Sequence, residues 1–194
     1  YLVVHPGAAG ERPVAWALRR VAAALDRIHA RHPEVRTMVL LETTAGQGTS
    51  LGRRFEELRD ILAAARDPRR VGVCADTCHV FAAGYDLRTD EGYEALVASA
   101  AACVGLERVR CWHLNDSVGE LGSRRDRHAH IGHGAIGAAG FRRLLHDPRF
   151  AGVPLILETP KGTDERGRDW DVLNLQRLRR WARGRPLASV VARR

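Results

Sequence analysis

Residues able to bind metal or move protons stand at the ends of short apolar runs in this sequence. Leu2 to Val4, Met38 to Leu41, Val71 to Ala75, Val109 to Trp112 and Val153 to Leu157 are followed at once by His5, Glu42, Asp76, His113 and Glu158. With 23 acids and 9 histidines in 194 residues, about one position in six is of this kind, so five in five is a pattern. A carboxylate or imidazole buried at a strand end is costly unless it is paired, hydrogen-bonded or bound to a cation. A mixed His, Asp and Glu set without thiolates suits zinc, manganese or iron, and a hydrolytic zinc site keeps one position open for water. Taken singly, each residue reads more readily as a core histidine or a salt-bridged acid; their convergence favours a metal.

Two pairs add to the set. His79 follows Asp76 by three residues, and the i, i+2 spacing of Asp126 and His128 puts both on one face of an extended segment. His130 and His133 lie in a glycine-rich loop and read as exposed or substrate-adjacent, while His29, His32 and His146 read as surface residues. Cys74, Cys78, Cys103 and Cys111 read as reduced thiols, two of them inside apolar runs, and no chemistry is assigned to them.

Strands must carry these residues, and the segments between them have helical periodicity. Pro13 opens a helix with Val14, Leu18, Val21, Leu25 and Ile28 on its inner face. Phe55, Leu58, Ile61 and Leu62 mark a second helix. Thr89 caps a third, which buries Tyr93, Leu96, Val97, Ala100 and Val104 and stops at Gly105. Phe141, Leu144 and Leu145 mark a fourth, and Trp170, Leu173, Leu178 and Trp181 a fifth. Such alternation means a parallel α/β sheet covered by helices.

No GxGxxG or Walker loop follows a strand, whereas ligands at every strand end converge as they do in a TIM (β/α)8 barrel. A complete barrel takes about 250 residues and eight units. The expectation is therefore the last five βα units of one TIM-barrel domain over residues 1–183, truncated on the N-terminal side, with a mobile basic tail over 184–194. On that expectation the bare chain folds poorly or associates, because its edge strands are unpaired.

Lysine and arginine number 31 against 23 acids, a formal charge of +8, and Lys161 is the one lysine. That balance suits a polyanion, although charge alone is weak evidence. Arg53, Arg54, Arg88, Arg124, Arg125 and Arg127 follow strands on the ligand-bearing face and are candidate phosphate contacts. No stretch approaches the roughly 18 apolar residues of a membrane span, and no secretory leader is evident. A cytoplasmic protein without a membrane partner is expected.

The segments His5-Pro6-Gly7, Leu41 to Gly48, Gly72 to His79, Ala82 to Arg88, His113-Leu114-Asn115-Asp116, Asp126-Arg127-His128 and Leu157-Glu158-Thr159 closely resemble those of the endonuclease IV family, in matching order. The resemblance implies a DNA-repair endonuclease that hydrolyses the phosphodiester 5′ to an abasic site in double-stranded DNA, leaving a 3′-hydroxyl and a 5′-deoxyribose phosphate. It implies a TIM barrel, monomeric when complete, with three zinc ions. His5 would hold the first ion and Glu42 would bridge the first and second. Asp76, His113 and Glu158 would complete the second, and His79, Asp126 and His128 would hold the third. Glu42 and Glu158 are the implied catalytic residues, Glu158 orienting or deprotonating the attacking water. One further histidine ligand of the first ion, and the family's DNA-penetrating residues, have no counterpart here. A metal-dependent sugar isomerase or epimerase is the alternative enzyme, and an inactive DNA-associated fragment the alternative of another class.

Overall fold

The computed structural model describes residues 1–183 and the strand Val190–Ala192, and the chain alternates strand and helix as its periodicity requires. β1 (Leu2–Val4) leads to α1 (Val14–Arg31), and β2 (Val39–Glu42) to α2 (Phe55–Ala64). β3 (Val71–Asp76) is followed by α3 (Thr77–Ala83) and α4 (Asp90–Cys103). After β4 (Val109–His113) comes a small antiparallel hairpin of β5 (Asp116–Ser117) and β6 (His128–Ala129). α5 (Gly137–His146), β7 (Leu155–Leu157), α6 (Trp170–Trp181) and β8 (Val190–Ala192) complete the order. The main sheet runs β1-β2-β3-β4-β7-β8 with every pair parallel, so all its strands end along one edge.

Alternation gives this sheet two different faces. Leu41, Val73, Ala75, Trp112, Leu155 and Leu157 belong to the larger core, formed with α1, α2, α4 and α5. Leu40, Cys74 and Cys111, flanked by Val3, Met38 and Ile156, form a small separate cluster on the other face. His5, Glu42, Asp76, His113 and Glu158 each stand two residues beyond a member of that second cluster and so share its face.

The expected elements form, with three differences. The buried stripe of α1 is Ala17, Leu18, Ala22, Leu25 and His29, whereas Val14 and Ile28 are half exposed. Alanines let this helix approach closely, so the buried face is rotated toward them, and His29 lies in the core rather than at the surface. α3 has too few residues to show a period in sequence. It starts where Asp76 accepts the His79 backbone N–H at 3.0 Å, an N-cap that ends β3 and begins a helix at once. Third, the tail contains β8, paired parallel with β7; residues 184–189 and 193–194 lie outside the described residues. No helix among the described residues is long and apolar enough to cross a membrane.

One buried carboxylate fixes the loop that follows the hairpin. Asp116, fully buried, accepts the backbone N–H groups of Ser117 at 2.8 Å, Gly132 at 2.8 Å, Ile136 at 3.0 Å and Gly137 at 3.4 Å. Gly134 passes so close that a Cβ there would collide with this carboxylate. Asp116→Ala leaves these donors without their acceptor and should destabilise the fold by about 3 kcal/mol, read as a lower urea midpoint. A midpoint within error of the parent would show that water replaces the carboxylate freely.

Candidate metal centre

The strand ends bring the sequence-derived residues into contact. Glu42 is nearly central: its Oε2 lies 3.3 Å from His5 Nε2, and its Oε1 lies 3.0 Å from His113 Nδ1 and 3.4 Å from His79 Nδ1. His113 Nδ1 is also 3.0 Å from Glu158 Oε2 and 3.9 Å from Asp76 Oδ2. Asp126 Oδ1 lies 3.1 Å from His79 Nε2 and 3.3 Å from His128 Nε2. Three donor groups result, each with its ligand atoms within 4.8 Å of one another: His5, Glu42 and His79; Glu42, Asp76, His113 and Glu158; and His79, Asp126 and His128.

The imidazoles of the third group are set in one tautomer. His79 Nδ1 lies 2.8 Å from the Thr43 carbonyl oxygen and His128 Nδ1 lies 3.1 Å from that of Glu158. A carbonyl only accepts, so both Nδ1 atoms carry a hydrogen, and it is Nε2 that presents a lone pair once its proton is displaced. Those Nε2 atoms are buried and have no hydrogen-bond partner among the described residues. They approach Asp126 without aligning on it, as ligands aimed at a common point do. Histidine ligands are held this way in metal sites, the remote nitrogen anchored by a carbonyl. The orphaned nitrogens and the oxygen- and nitrogen-rich donor set fit a divalent cation.

Protein groups orient the ligands from behind. Thr43 Oγ1 accepts the Asp76 backbone N–H at 3.0 Å. Asn115 is fully buried; its Nδ2 donates to Asp76 Oδ2 at 2.6 Å and its Oδ1 accepts the Glu158 backbone N–H at 3.0 Å. Thr77 Oγ1 donates to the Asn115 carbonyl at 2.7 Å and accepts the Asn115 N–H at 2.8 Å, tying the start of α3 to the end of β4. Sequence reasoning assigned no role to Thr43, Thr77 and Asn115, although all three lie beside its ligands.

Electrostatics express the same crowding. Burial pushes the His79 imidazole down, but Asp76, Asp126 and Glu42 outweigh it and raise it to about 12. His113 reaches about 12 in the same way, burial opposed by Cys111, Glu158 and Glu42. Burial favours a neutral Glu42, yet His113, His5 and His79 hold it far below the usual carboxylate range, and His128 and His79 do the same for Asp126. Protons on the imidazoles and a divalent cation are alternative sources of the positive charge these carboxylates favour.

The arginines divide by surroundings. Arg53 and Arg124 line a cavity of about 250 Å³ together with Arg12, Gly46 and Gly48, and a Cβ at Gly46 would collide with the Arg53 side chain. Arg88 is held by both oxygens of Asp86 at 2.9 and 3.0 Å and lies 5.1 Å over the Phe81 ring. Arg54 pairs with Glu56 at 3.6 Å, Arg127 donates to the Asp126 carbonyl at 2.6 Å, and Arg125 is exposed. His130 stacks on Trp170 at 3.8 Å between centroids, and His133 meets the same ring edge-on; neither is in a donor group.

The profile described as a xylose isomerase-like TIM barrel matches residues 1–182. The chain belongs to that family. Within the xylose isomerase-like barrels it is 53% identical over 184 residues to the probable endonuclease 4 of Chloroflexus aurantiacus, covering 95% of this chain and 64% of that relative. It is 50% identical to the probable endonuclease 4 of Geobacter sulfurreducens, covering 95% and 61%. The crystal structure of endonuclease IV from Thermus thermophilus superposes with a TM-score of 0.75 at 41% identity, covering 93% of this chain and 61% of that one. The chain thus spans under two thirds of the length of these relatives.

The protonated imidazoles make metal loading pH-dependent. A cation must displace protons from His79 and His113, so binding should release protons at pH 7 and tighten as pH rises. Calorimetry in buffers of differing ionisation enthalpy reads this directly. Heats that do not depend on the buffer would mean that the imidazoles are not the ligands.

Proposed function

We propose that this chain carries the catalytic metal centre of an abasic-site endonuclease, the C-terminal part of one TIM-barrel domain over residues 1–183. The single observation that carries the reading is the convergence of eight side chains into three donor groups at the strand ends of a family whose relatives here are named endonuclease 4. The substrate is double-stranded DNA with an abasic site, cut 5′ to the lesion to give a 3′-hydroxyl and a 5′-deoxyribose phosphate. The protein acts as a monomer in the cytoplasm, at the nucleoid.

The donor chemistry fits zinc, one ion per group, with His5, Glu42, Asp76, His79, His113, Asp126, His128 and Glu158 as ligands. Held there, divalent ions would supply activated water at neutral pH and neutralise charge on the phosphate and leaving oxygen. Glu42, held deprotonated by His113, His5 and His79, belongs to two of the groups and would be a ligand common to both. Glu158, held against His113 at 3.0 Å, orients the attacking water and takes its proton. Water oxygen bonds to phosphorus as the bond from phosphorus to the 3′ oxygen breaks, and the leaving oxygen takes a proton from solvent to become the 3′-hydroxyl.

Arg53 and Arg124 offer cationic surface for flanking phosphates at the cavity they share with Arg12, and Arg54, Arg125 and Arg127 extend that surface. Arg88, oriented by both oxygens of Asp86, is a further phosphate contact in this reading. An abasic nucleotide leaves the stack at low cost, which brings its phosphodiester to a recessed centre.

Glu42→Gln keeps the shape and removes the charge. In this chain joined to the N-terminal segment of its Chloroflexus relative, cleavage of a labelled abasic duplex should fall by about 100-fold or more, with binding by fluorescence anisotropy retained. Near-parental turnover would refute the role given to Glu42.

A further inference from the structure

Beneath the carboxylates lie two thiols that hydrolysis does not use, Cys74 and Cys111, within reach of His113. Cys74 and Cys111 precede Asp76 and His113 by two residues on adjacent strands, so alternation turns all four to one face. An irregularity in the ladder decides how the thiols meet. Val73 pairs with Val109, but the next pair is Cys74 with Cys111, because Arg110 is an extra residue on β4. Regular pairing would have set Cys74 opposite Arg110. The bulge instead puts thiol opposite thiol and leaves Arg110 exposed on an otherwise buried strand.

Both thiols are free, and their exposures are 0% and 1%. With His113 they bring three ligand atoms within 4.8 Å of one another. Their remaining neighbours are apolar: Leu40, with Val3, Met38 and Ile156 at the margin. Two sulfurs and one imidazole make a soft set, in contrast to the carboxylate-rich groups above, and soft ligands select thiophilic cations.

We propose that Cys74, Cys111 and His113 form a separate thiophilic metal site, which takes a soft divalent cation such as cadmium and draws His113 from the donor group above it. Binding exchanges two S–H bonds for two sulfur–metal bonds and releases both protons to solvent, with no change of oxidation state. The thiolate site depends only on residues of this chain, so its failure would leave the nuclease reading untouched, whereas the sharing of His113 rests on the zinc ligands proposed above.

Cadmium titrated into the zinc-saturated chain should produce the ultraviolet charge-transfer band of a cadmium thiolate, saturating near about one equivalent, with zinc released in step to a chelating dye. The band should vanish in Cys74→Ser and Cys111→Ser and persist in Cys78→Ser and Cys103→Ser. Cys111→Ala is measured alongside, since a buried hydroxyl alone can unfold a strand, and cooperative urea transitions establish that each variant is folded. No band in the folded parent, or a band that survives loss of either Cys74 or Cys111, overturns the site. A band without zinc release overturns the sharing of His113. A thiol count reduced by two without reductant, together with no band, assigns the pair to a cross-strand disulfide and equally overturns the metal site.

Discussion

Charge compensation at the ends of the parallel strands is the constraint on which the rest of this structure depends. Glu42, Asp76, Asp126 and Glu158 meet His5, His79, His113 and His128 in a space where Glu42, Asp76, His79 and His113 are buried. Unpaired, such groups would cost several kcal/mol each. They are tolerable because every carboxylate faces an imidazole and because the two Nε2 atoms at Asp126 remain available for a cation. A centre of this kind is more than a set of ion pairs. Ion pairs alone would align donor with acceptor, whereas His79 and His128 spend their aligned hydrogen bonds on backbone carbonyls and direct the other nitrogen at shared space.

The fold serves that constraint through strand parity. In a parallel sheet all strands end along one edge, and alternation sends the residue two beyond each inner apolar side chain to the same face. β3 then turns directly into α3, with Asp76 both closing the strand and capping the helix, which swings His79 back over Glu42. Asn115 and Thr77 bind the ends of β3, β4 and β7 to one another, which fixes Asp76, His113 and Glu158 relative to each other. Asp116 performs the same service for the loop behind them.

Much of this was legible in the sequence because it rests on local pattern. Apolar runs ending in His, Asp or Glu locate both strands and ligands, and Phe55, Leu58, Ile61 and Leu62 mark a helix whose inner face is as expected. What escaped depends on packing or length. The stripe of α1 turns toward Ala17 and Ala22, since small residues permit a close approach that a count of large apolar residues does not register. α3 spans too few residues for periodicity, and the two-residue strands β5 and β6 fall below any pattern. The orienting groups Thr43, Thr77 and Asn115 are ordinary polar residues until the sheet stacks them behind the ligands. The pairing of Cys74 with Cys111 follows from a bulge that sequence alone does not announce.

Anomalous diffraction at the zinc edge, on crystals of this chain grown with zinc, tests the centre most directly. Strong peaks are expected within the Glu42, Asp76, His113 and Glu158 group and within the His79, Asp126 and His128 group, with a weaker one beside His5 and Glu42. Zinc found only on surface carboxylates, with these groups closed on one another through hydrogen bonds, would contradict the metal centre.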